Sequence, residues 1–336
     1  MSEIRIAIDA MGGDNAPVEA IKGAINYINN DEFNKDKVRI IFVGKSELIQ
    51  SALLQFKYDT SKIDIFDARE MIAANESPVS GVKNKQNSSI VEGTKLVNEN
   101  KADVFISAGN TGALMVASTL YVGRIKGVHR PALGALIPNK EGFSLLIDAG
   151  ANVDAKPQYL LQYAKMGAVY LDEMLGVNNP RVGLINIGEE VEKGNSLVKE
   201  TYKLLDDSEL NFVGNVEARE IPEGKVDILV CDAFVGNVLL KYTEGFAKSM
   251  FATIKEEILN SGFKTKLGAS LMKSLVPTLK SKMDYTEYGG APLLGLRGLV
   301  VKTHGSADAK AFESTIRQGV NFVKADVTSK LEKKFK

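Results

Sequence analysis

Ten short apolar runs, at 4–9, 38–43, 63–66, 104–107, 133–137, 143–148, 182–187, 212–216, 228–231 and 298–302, alternate with longer segments of helical periodicity. Those segments lie at 18–29, 47–56, 88–98, 113–121, 157–175, 196–205, 238–260, 266–280 and 309–331. Strands that are apolar throughout are buried on both faces, and a helix between them lets the chain return to lay down a parallel neighbour. The alternation predicts a doubly wound α/β fold: a mostly parallel sheet with helices on both faces, Rossmann-like, in three α/β/α layers. The runs 133–137 and 143–148 flank Pro138-Asn-Lys-Glu-Gly142, which reads as a hairpin, so the sheet is expected to be mixed. No internal repeat, low-complexity tract or linker breaks the pattern, and one domain over residues 1–336 is the expectation.

The first run ends in Asp9-Ala-Met-Gly-Gly-Asp-Asn-Ala-Pro17. Ile4, Ile6 and Ile8 alternate into it, Gly12 and Gly13 accept backbone angles that other residues resist, and Pro17 suits the first turn of a helix. Asp14 or Asn15 is placed to cap that helix. Strand, glycine turn and helix N-terminus together offer amide N–H groups and a positive dipole end to an anion such as phosphate. The dinucleotide fingerprint G-x-G-x-x-G is absent. Comparable turns follow five later runs: Ser107-Ala-Gly-Asn-Thr-Gly-Ala113, Asp148-Ala-Gly-Ala-Asn152, Asn186-Ile-Gly-Glu-Glu190 with Lys193-Gly-Asn195 beyond, Cys231-Asp-Ala-Phe-Val-Gly-Asn237, and Lys302-Thr-His-Gly-Ser306. In a doubly wound sheet such turns gather at the carboxyl edge of the strands, so all six are expected to share one polar site there.

Composition narrows the chemistry. Lys and Arg total 42, as do Asp and Glu, so the basic excess of a nucleic-acid binder is missing. The single cysteine, Cys231, excludes an internal disulfide framework and fits a reducing compartment. With only two histidines a Cys- or His-rich metal cage is a poor fit, and neither metal nor cofactor is expected. No signal-peptide pattern precedes the first strand, and no apolar run is long enough to span a bilayer. Neither a G-x-S-x-G nucleophile elbow nor a Walker A sequence occurs. Cys231 closes an apolar strand and reads as an inert buried thiol rather than a nucleophile. His129, before Arg130-Pro131, reads as a surface residue. His304, between an apolar strand and Gly305-Ser306, is better placed for catalysis, with a capping or core role as its competitor. A site rich in Gly, Asn, Thr and backbone amides suits an anion and an oxyanion. It needs no covalent enzyme intermediate when the substrate itself, such as inorganic phosphate, is the nucleophile.

Several stretches together resemble the bacterial phosphate acyltransferase family, the acyl-acyl-carrier-protein:phosphate acyltransferases of phospholipid synthesis. They are the 9–17 turn, Lys85-Gln-Asn-Ser-Ser89, Ser107-Ala-Gly-Asn-Thr-Gly-Ala-Leu114, Arg130-Pro131, Asp148-Ala-Gly-Ala-Asn152, Asn186-Ile-Gly-Glu-Glu190, Asp232-Ala-Phe-Val-Gly-Asn237, Glu287-Tyr-Gly-Gly-Ala-Pro292 and His304-Gly-Ser306. The likeness runs from Ile4 to beyond Ser306; Lys85-Gln-Asn departs from the more strongly charged run usual in the family. It implies that phosphate attacks the thioester of acyl-acyl-carrier-protein, giving acyl phosphate for a membrane glycerol-3-phosphate acyltransferase. It also implies a fold similar to phosphotransacetylases and isocitrate/isopropylmalate dehydrogenases, and a cytoplasmic homodimer associated peripherally with the inner face of the membrane. On this resemblance the catalytic candidates are His304, Asn110, Thr111 and Asn237. Asn110, Thr111 or Asn237 would donate to the thioester oxyanion, and His304 would orient phosphate or protonate the leaving thiolate. The phosphate- and substrate-binding set is Asp9, Gly12, Gly13, Asp14, Asn15, Gly109, Gly112, Arg130, Asp148, Asn152, Lys193 and Ser306. Within it Arg130 or Lys193 would add positive charge. Asp9 and Asp148, with Asp232, would brace the loops, since a bare carboxylate repels phosphate.

Residues 251–283 change character. Phe263, Leu267, Leu271, Leu275, Leu279 and Met283 recur at four-residue steps, among six lysines and two glutamates. Gly262 is expected to separate two helices and Pro277 to kink the second. Such a protruding basic amphipathic segment can lie on an anionic membrane, or pack on the core or a second copy. Because acyl phosphate is a poorly soluble lipid, membrane contact through Phe263, Leu267, Leu271, Leu275 and Leu279 is the expectation. Competing functions are a phosphotransacetylase-like enzyme using acyl-coenzyme A, a metal- and NAD-dependent hydroxyacid dehydrogenase with Asp148 and Asp232 as ligands, and a non-catalytic module that recruits enzymes to the membrane.

Overall fold

In the computed structural model, which describes residues 3–30, 37–272, 275 and 289–335, the alternation forms one sheet of eleven strands. The strands are β1 (Ile4–Asp9), β2 (Val38–Gly44), β3 (Ile63–Asp67), β4 (Val104–Ser107), β5 (Ala132–Asn139), β6 (Gly142–Ile147), β7 (Val182–Asn186), β8 (Phe212–Glu217), β9 (Ile228–Val230), β10 (Ala291–Leu294) and β11 (Leu299–Lys302). Their spatial order is β3-β2-β1-β4-β11-β10-β5-β6-β9-β7-β8. The helices are α1 (Val18–Asn29), α2 (Ser46–Leu53), α3 (Pro78–Asn84), α4 (Ser89–Asn98), α5 (Thr111–Ala117), α6 (Pro157–Leu175), α7 (Ser196–Asp206), α8 (Ala233–Asn260), α9 (Phe263–Leu271), α10 (Ala309–Ala325) and α11 (Val327–Lys334).

Successive strand residues feed two cores, one on each face of the sheet. Ile4, Ile6, Ile8 and Ile147 pack with α1, α6 and α10 through Ile21, Tyr163 and Phe312. Ala7, Phe105 and Leu146 pack on the other face with α4 and α5 through Ile90 and Leu114. The layers are therefore those expected of a doubly wound α/β chain, with the 133–148 hairpin in place as β5 and β6.

Three details differ. Pro17 stands at the N-cap position of α1 rather than inside its first turn, and the helix begins on backbone bonds such as Ile21 N–H to the Pro17 carbonyl at 3.1 Å rather than on an Asp14 or Asn15 side chain. Strand β10 and helix α3 are additional elements, and the 309–331 segment is two helices broken at Asp326, whose φ is +51°. Most important, the six turns do not share one edge. β10 is antiparallel to both β11 and β5, and β5 to β6, so three consecutive reversals turn β6, β9, β7 and β8 against β1, β4 and β11. The turns after β1, β4 and β11 leave one edge; those after β6, β7 and β9 leave the other.

Helix α8 has 28 residues, about 42 Å at 1.5 Å per residue, yet only Ala233 and Gly236 at its start are buried. It projects from the sheet, and α9 follows after a break at Gly262. No helix among the described residues is long and apolar enough to cross a membrane. Pro277, Leu279 and Met283 lie outside the described residues.

Candidate active site

The turns after β1, β4 and β11 are clasped together around a buried carboxylate. Asp9 is fully buried and accepts from the Met11 amide at 3.0 Å and the Ser107 hydroxyl at 2.7 Å. Ser107 Oγ in turn accepts the Gly109 amide at 3.0 Å, and the Asp14 amide donates to the Gly305 carbonyl at 2.8 Å. A Cβ on residue 12 would lie 2.4 Å from Asp9 Oδ2 and 2.6 Å from the Gly109 nitrogen, so glycine is what lets the first two turns meet. Burial pushes the Asp9 carboxyl upward in pKa, against the hydroxyls of Ser89 and Ser107 and the amides of Met11 and Gly12.

A second clasp forms at the opposite edge. Asp148, also fully buried, accepts the amides of Leu133, Gly150, Ala151 and Asn152 at 2.9–3.2 Å and the Asn152 side-chain amide at 2.7 Å. Burial raises its pKa while these donors oppose the rise. Asp232 caps α8, accepting from Phe234 at 2.8 Å and Val235 at 3.0 Å. The helix then seats so closely that a Cβ on Gly236 would fall 2.0 Å from the Asp148 carbonyl oxygen. Both oxygens of Asp148 are engaged, which deprives the dehydrogenase reading of its pair of metal ligands. Cys231 is buried with its thiol 3.8 Å from the Asp148 carbonyl, and burial holds it protonated, as an inert thiol should be.

Between the clasps lies a cavity of about 600 Å³. Strand β5 places Leu133 beside the Asp148 turn, only two residues along β10 from the level of Lys302, and its Leu133, Ala135 and Leu136 line the cavity; this stagger lets turns from opposite edges reach one space. Gly12, Gly13, Asp14, Gly109, Asn110, Thr111, Gly112, Asn237 and His304 all line it. Asn15, Arg130, Asn152, Lys193 and Ser306 do not. Arg130 and Lys193 are exposed, and the Asn152 amide is taken by Pro131 and Asp148. Asp9 and Asp148 are buried behind the wall, bracing the turns rather than facing a ligand.

Asn110 is more committed than its sequence suggested. Its Oδ1 accepts the Ala113 amide at 3.0 Å, capping α5, and its Nδ2 faces the carbonyls of Ala73, Ala74 and Glu76 at 3.1–3.2 Å. The side chain therefore clamps the 73–76 loop onto the cavity rather than reserving its amide for an oxyanion. His304 is oriented by Ser306, whose amide donates to Nδ1 at 3.2 Å and whose hydroxyl lies 2.8 Å from the same nitrogen. Nε2 is thereby set 3.6 Å from the Glu244 carboxylate, which also lines the cavity.

Sequence reasoning missed Lys302. It closes β11, is 9 % exposed, and lines the cavity with its ammonium donating to the Thr303 carbonyl. Burial lowers its pKa to about 8, opposed by the carboxylates of Asp9 and Asp14. A buried cation in a cavity of glycine turns is the charge an anion site needs, and the available signal was a lysine ending an otherwise apolar strand.

Residues 4–330 match the family described as fatty acid synthesis protein. The phosphate acyltransferase of Clostridium perfringens strain SM101 is 51% identical over 329 residues, covering 98% of this chain and 96% of that protein. The phosphate acyltransferase of Clostridium tetani is 48% identical over 329 residues, covering 98% and 97%. The chain belongs to the phosphate acyltransferase family. Its fold is shared with more distant proteins. A phosphotransacetylase from Streptococcus pyogenes superposes with a TM-score of 0.61 at 16% identity, over 96% of this chain and 94% of that one. A 4-hydroxythreonine-4-phosphate dehydrogenase from Klebsiella pneumoniae superposes with a TM-score of 0.53 at 11% identity, over 95% and 99%. The sequence resemblance to this family, and the α/β class it implied, are thus borne out.

Proposed function

We propose that this protein transfers a fatty acyl group from acyl carrier protein to inorganic phosphate. A phosphate oxygen attacks the thioester carbonyl, the C–S bond breaks, and the products are acyl phosphate and the carrier thiolate, which takes a proton from solvent. The observation that carries the reading is the convergence of Lys302, His304 and two glycine turns on one cavity. Lys302 holds the phosphate, with the amides of Gly13, Thr111 and Gly112 beside it; the last two begin α5 and have no partner within the helix. Asn237 donates a hydrogen bond to the carbonyl oxygen as it becomes an oxyanion, and His304 Nε2–H donates a hydrogen bond to the departing sulfur without giving up its proton. Phosphate is itself the nucleophile, so no enzyme nucleophile is required. The phosphate acyltransferases at about half identity support this assignment.

The same reading places the enzyme in the cytoplasm as a homodimer, peripheral to the inner face of the membrane, where a glycerol-3-phosphate acyltransferase consumes the product. Exposed Phe263, Leu267 and Leu271 of α9 support membrane contact. The deciding experiment is phosphate-dependent thiol release from palmitoyl-acyl-carrier-protein, with palmitoyl-coenzyme A run in parallel. Release from the carrier protein alone is expected. Release from both would broaden the donor, and none from either, with folded protein, would leave a binding module.

A further inference from the structure

Beside the polar cavity lies a second hollow, of about 1040 Å³, that the chemistry above does not use. Leu136, Ile137 and Pro138 of β5 form one wall, and α8 and α9 form the others. Leu136, Leu240 and Glu244 line both spaces, so the two meet where Glu244 faces His304. From Leu240 to Ile258 the hollow follows α8 for 18 residues, about 27 Å at 1.5 Å per residue. Its lining is predominantly apolar, with small side chains at Ala247, Ala252 and Ala269 that leave a continuous trough.

We propose that this groove binds the hydrocarbon chain of the acyl donor, with the thioester at the Leu240–Glu244 junction and the chain's far end toward Ile258. The inference rests on the acyl-transfer reading and gives it a place for the substrate's largest part. The reacting carbonyl must lie in the polar cavity beside the phosphate, so the chain has to leave that cavity somewhere. The turn walls offer glycine backbone, Lys302 and His304, with apolar side chains such as Ile72 and Leu133 between them; the groove offers a longer apolar exit that shares residues with the cavity. A long chain left in water would forgo the burial of each methylene, whereas an apolar trough supplies that burial and asks for no hydrogen bonds. Phe263, Leu267 and Leu271 do not line the groove, whereas Leu275 does, so a chain within it and a membrane against α9 compete for Leu275 but not for the other three.

The two alanines of α8 act as rungs of a ruler. Ala247 lies three residues beyond Glu244 on α8 and Ala252 eight beyond, both in the lining. A tryptophan at either position fills the trough at a set depth. The test measures phosphate-dependent thiol release from butanoyl-, dodecanoyl- and palmitoyl-acyl-carrier-protein by wild type, Ala247→Trp and Ala252→Trp, with melting temperature and gel-filtration volume for each. Relative to its own butanoyl turnover, Ala247→Trp should lose about tenfold or more in kcat/KM for dodecanoyl and palmitoyl donors, while Ala252→Trp should tolerate dodecanoyl better than palmitoyl. Equal losses at all lengths, or unchanged palmitoyl turnover in folded variants, would overturn the groove while leaving acyl transfer intact in the wild type. A changed oligomeric state in both variants would mean that a second copy of the chain fills the groove, which also overturns the proposal. Wild type that releases no thiol from any donor would remove the acyl-transfer reading, and the groove's role with it.

Discussion

Lys302 sets binding against stability within a single side chain. An unfolded lysine titrates near its ordinary value of about 10.4, whereas burial holds Lys302 at about 8 in the fold. Below pH 8 both states are protonated, and the folded state carries the whole cost of burying an ammonium. Between pH 8 and about 10 the unfolded chain binds more protons, so stability rises with pH across that window, by about 3 kcal/mol in total from this group. Over the same range the folded protein loses the cation assigned to phosphate in the proposed reaction. Wild-type kcat/KM for phosphate should therefore fall by about tenfold per pH unit above pH 8. Lys302→Met should lack both the alkaline gain in Tm attributable to this group and the alkaline fall in kcat/KM. Its KM for phosphate at pH 7 should rise about 30-fold or more, corresponding to about 2 kcal/mol of lost charge pairing. A Lys302→Met enzyme with wild-type KM for phosphate would remove this residue from the anion site.

At the scale of elements, the seat of α8 on the β6 turn decides whether the two edges cooperate. Gly236→Ala drives a Cβ toward the Asp148 carbonyl, at 2.0 Å before any relaxation, and the helix has to shift. The expected cost is about 1–3 kcal/mol in stability, with a larger proportional loss in kcat because Asn237 and Leu240 move with the helix. Gly245→Ala on the same helix is the control: its Cβ meets nothing, and the gain in helix propensity should raise stability by up to about 1 kcal/mol. Equal Tm and kcat changes for both variants would mean that the seat is not what positions α8. Elements were legible wherever local pattern governs them. The 157–175 helix, the 133–148 hairpin, the Ile4-Ile6-Ile8 strand and the Gly262 break were read from periodicity and from Gly and Pro placement. Strand β10 was not, because four residues including Pro292 carry no period of their own. Missing it hid the reversal that sends three of the turns to the opposite edge. Within the site, the glycine turns and His304 were visible as residue types. The commitments of Asn110 and the burial of Lys302 were not, since both depend on segments distant in sequence: Asn110 on the 73–76 loop, and Lys302 on its strand neighbours Ser107 and Ala291.

At the scale of the whole molecule, the sheet holds the polar site while α8 and α9 carry apolar surface away from it. Phe263 is 80% exposed and Leu271 79%, on a helix that also carries Lys264 and Lys266. Apolar side chains beside lysines are the pairing that an anionic lipid surface rewards, through burial at the acyl boundary and attraction to the headgroups. Neither residue lines the cavity or the groove, so altering them separates membrane contact from chemistry. The double variant Phe263→Glu/Leu271→Glu should lose co-sedimentation with vesicles containing phosphatidylglycerol, yet release thiol from the soluble carrier-protein donor within about twofold of wild type. Wild-type binding should weaken as salt rises, because the electrostatic part of the attraction is screened over about 10 Å at 0.1 M. Vesicle binding retained by the double variant would move the contact off α9. Turnover lost together with vesicle binding would mean that α9 supports the site itself, and the separation between a sheet that reacts and helices that anchor would not hold.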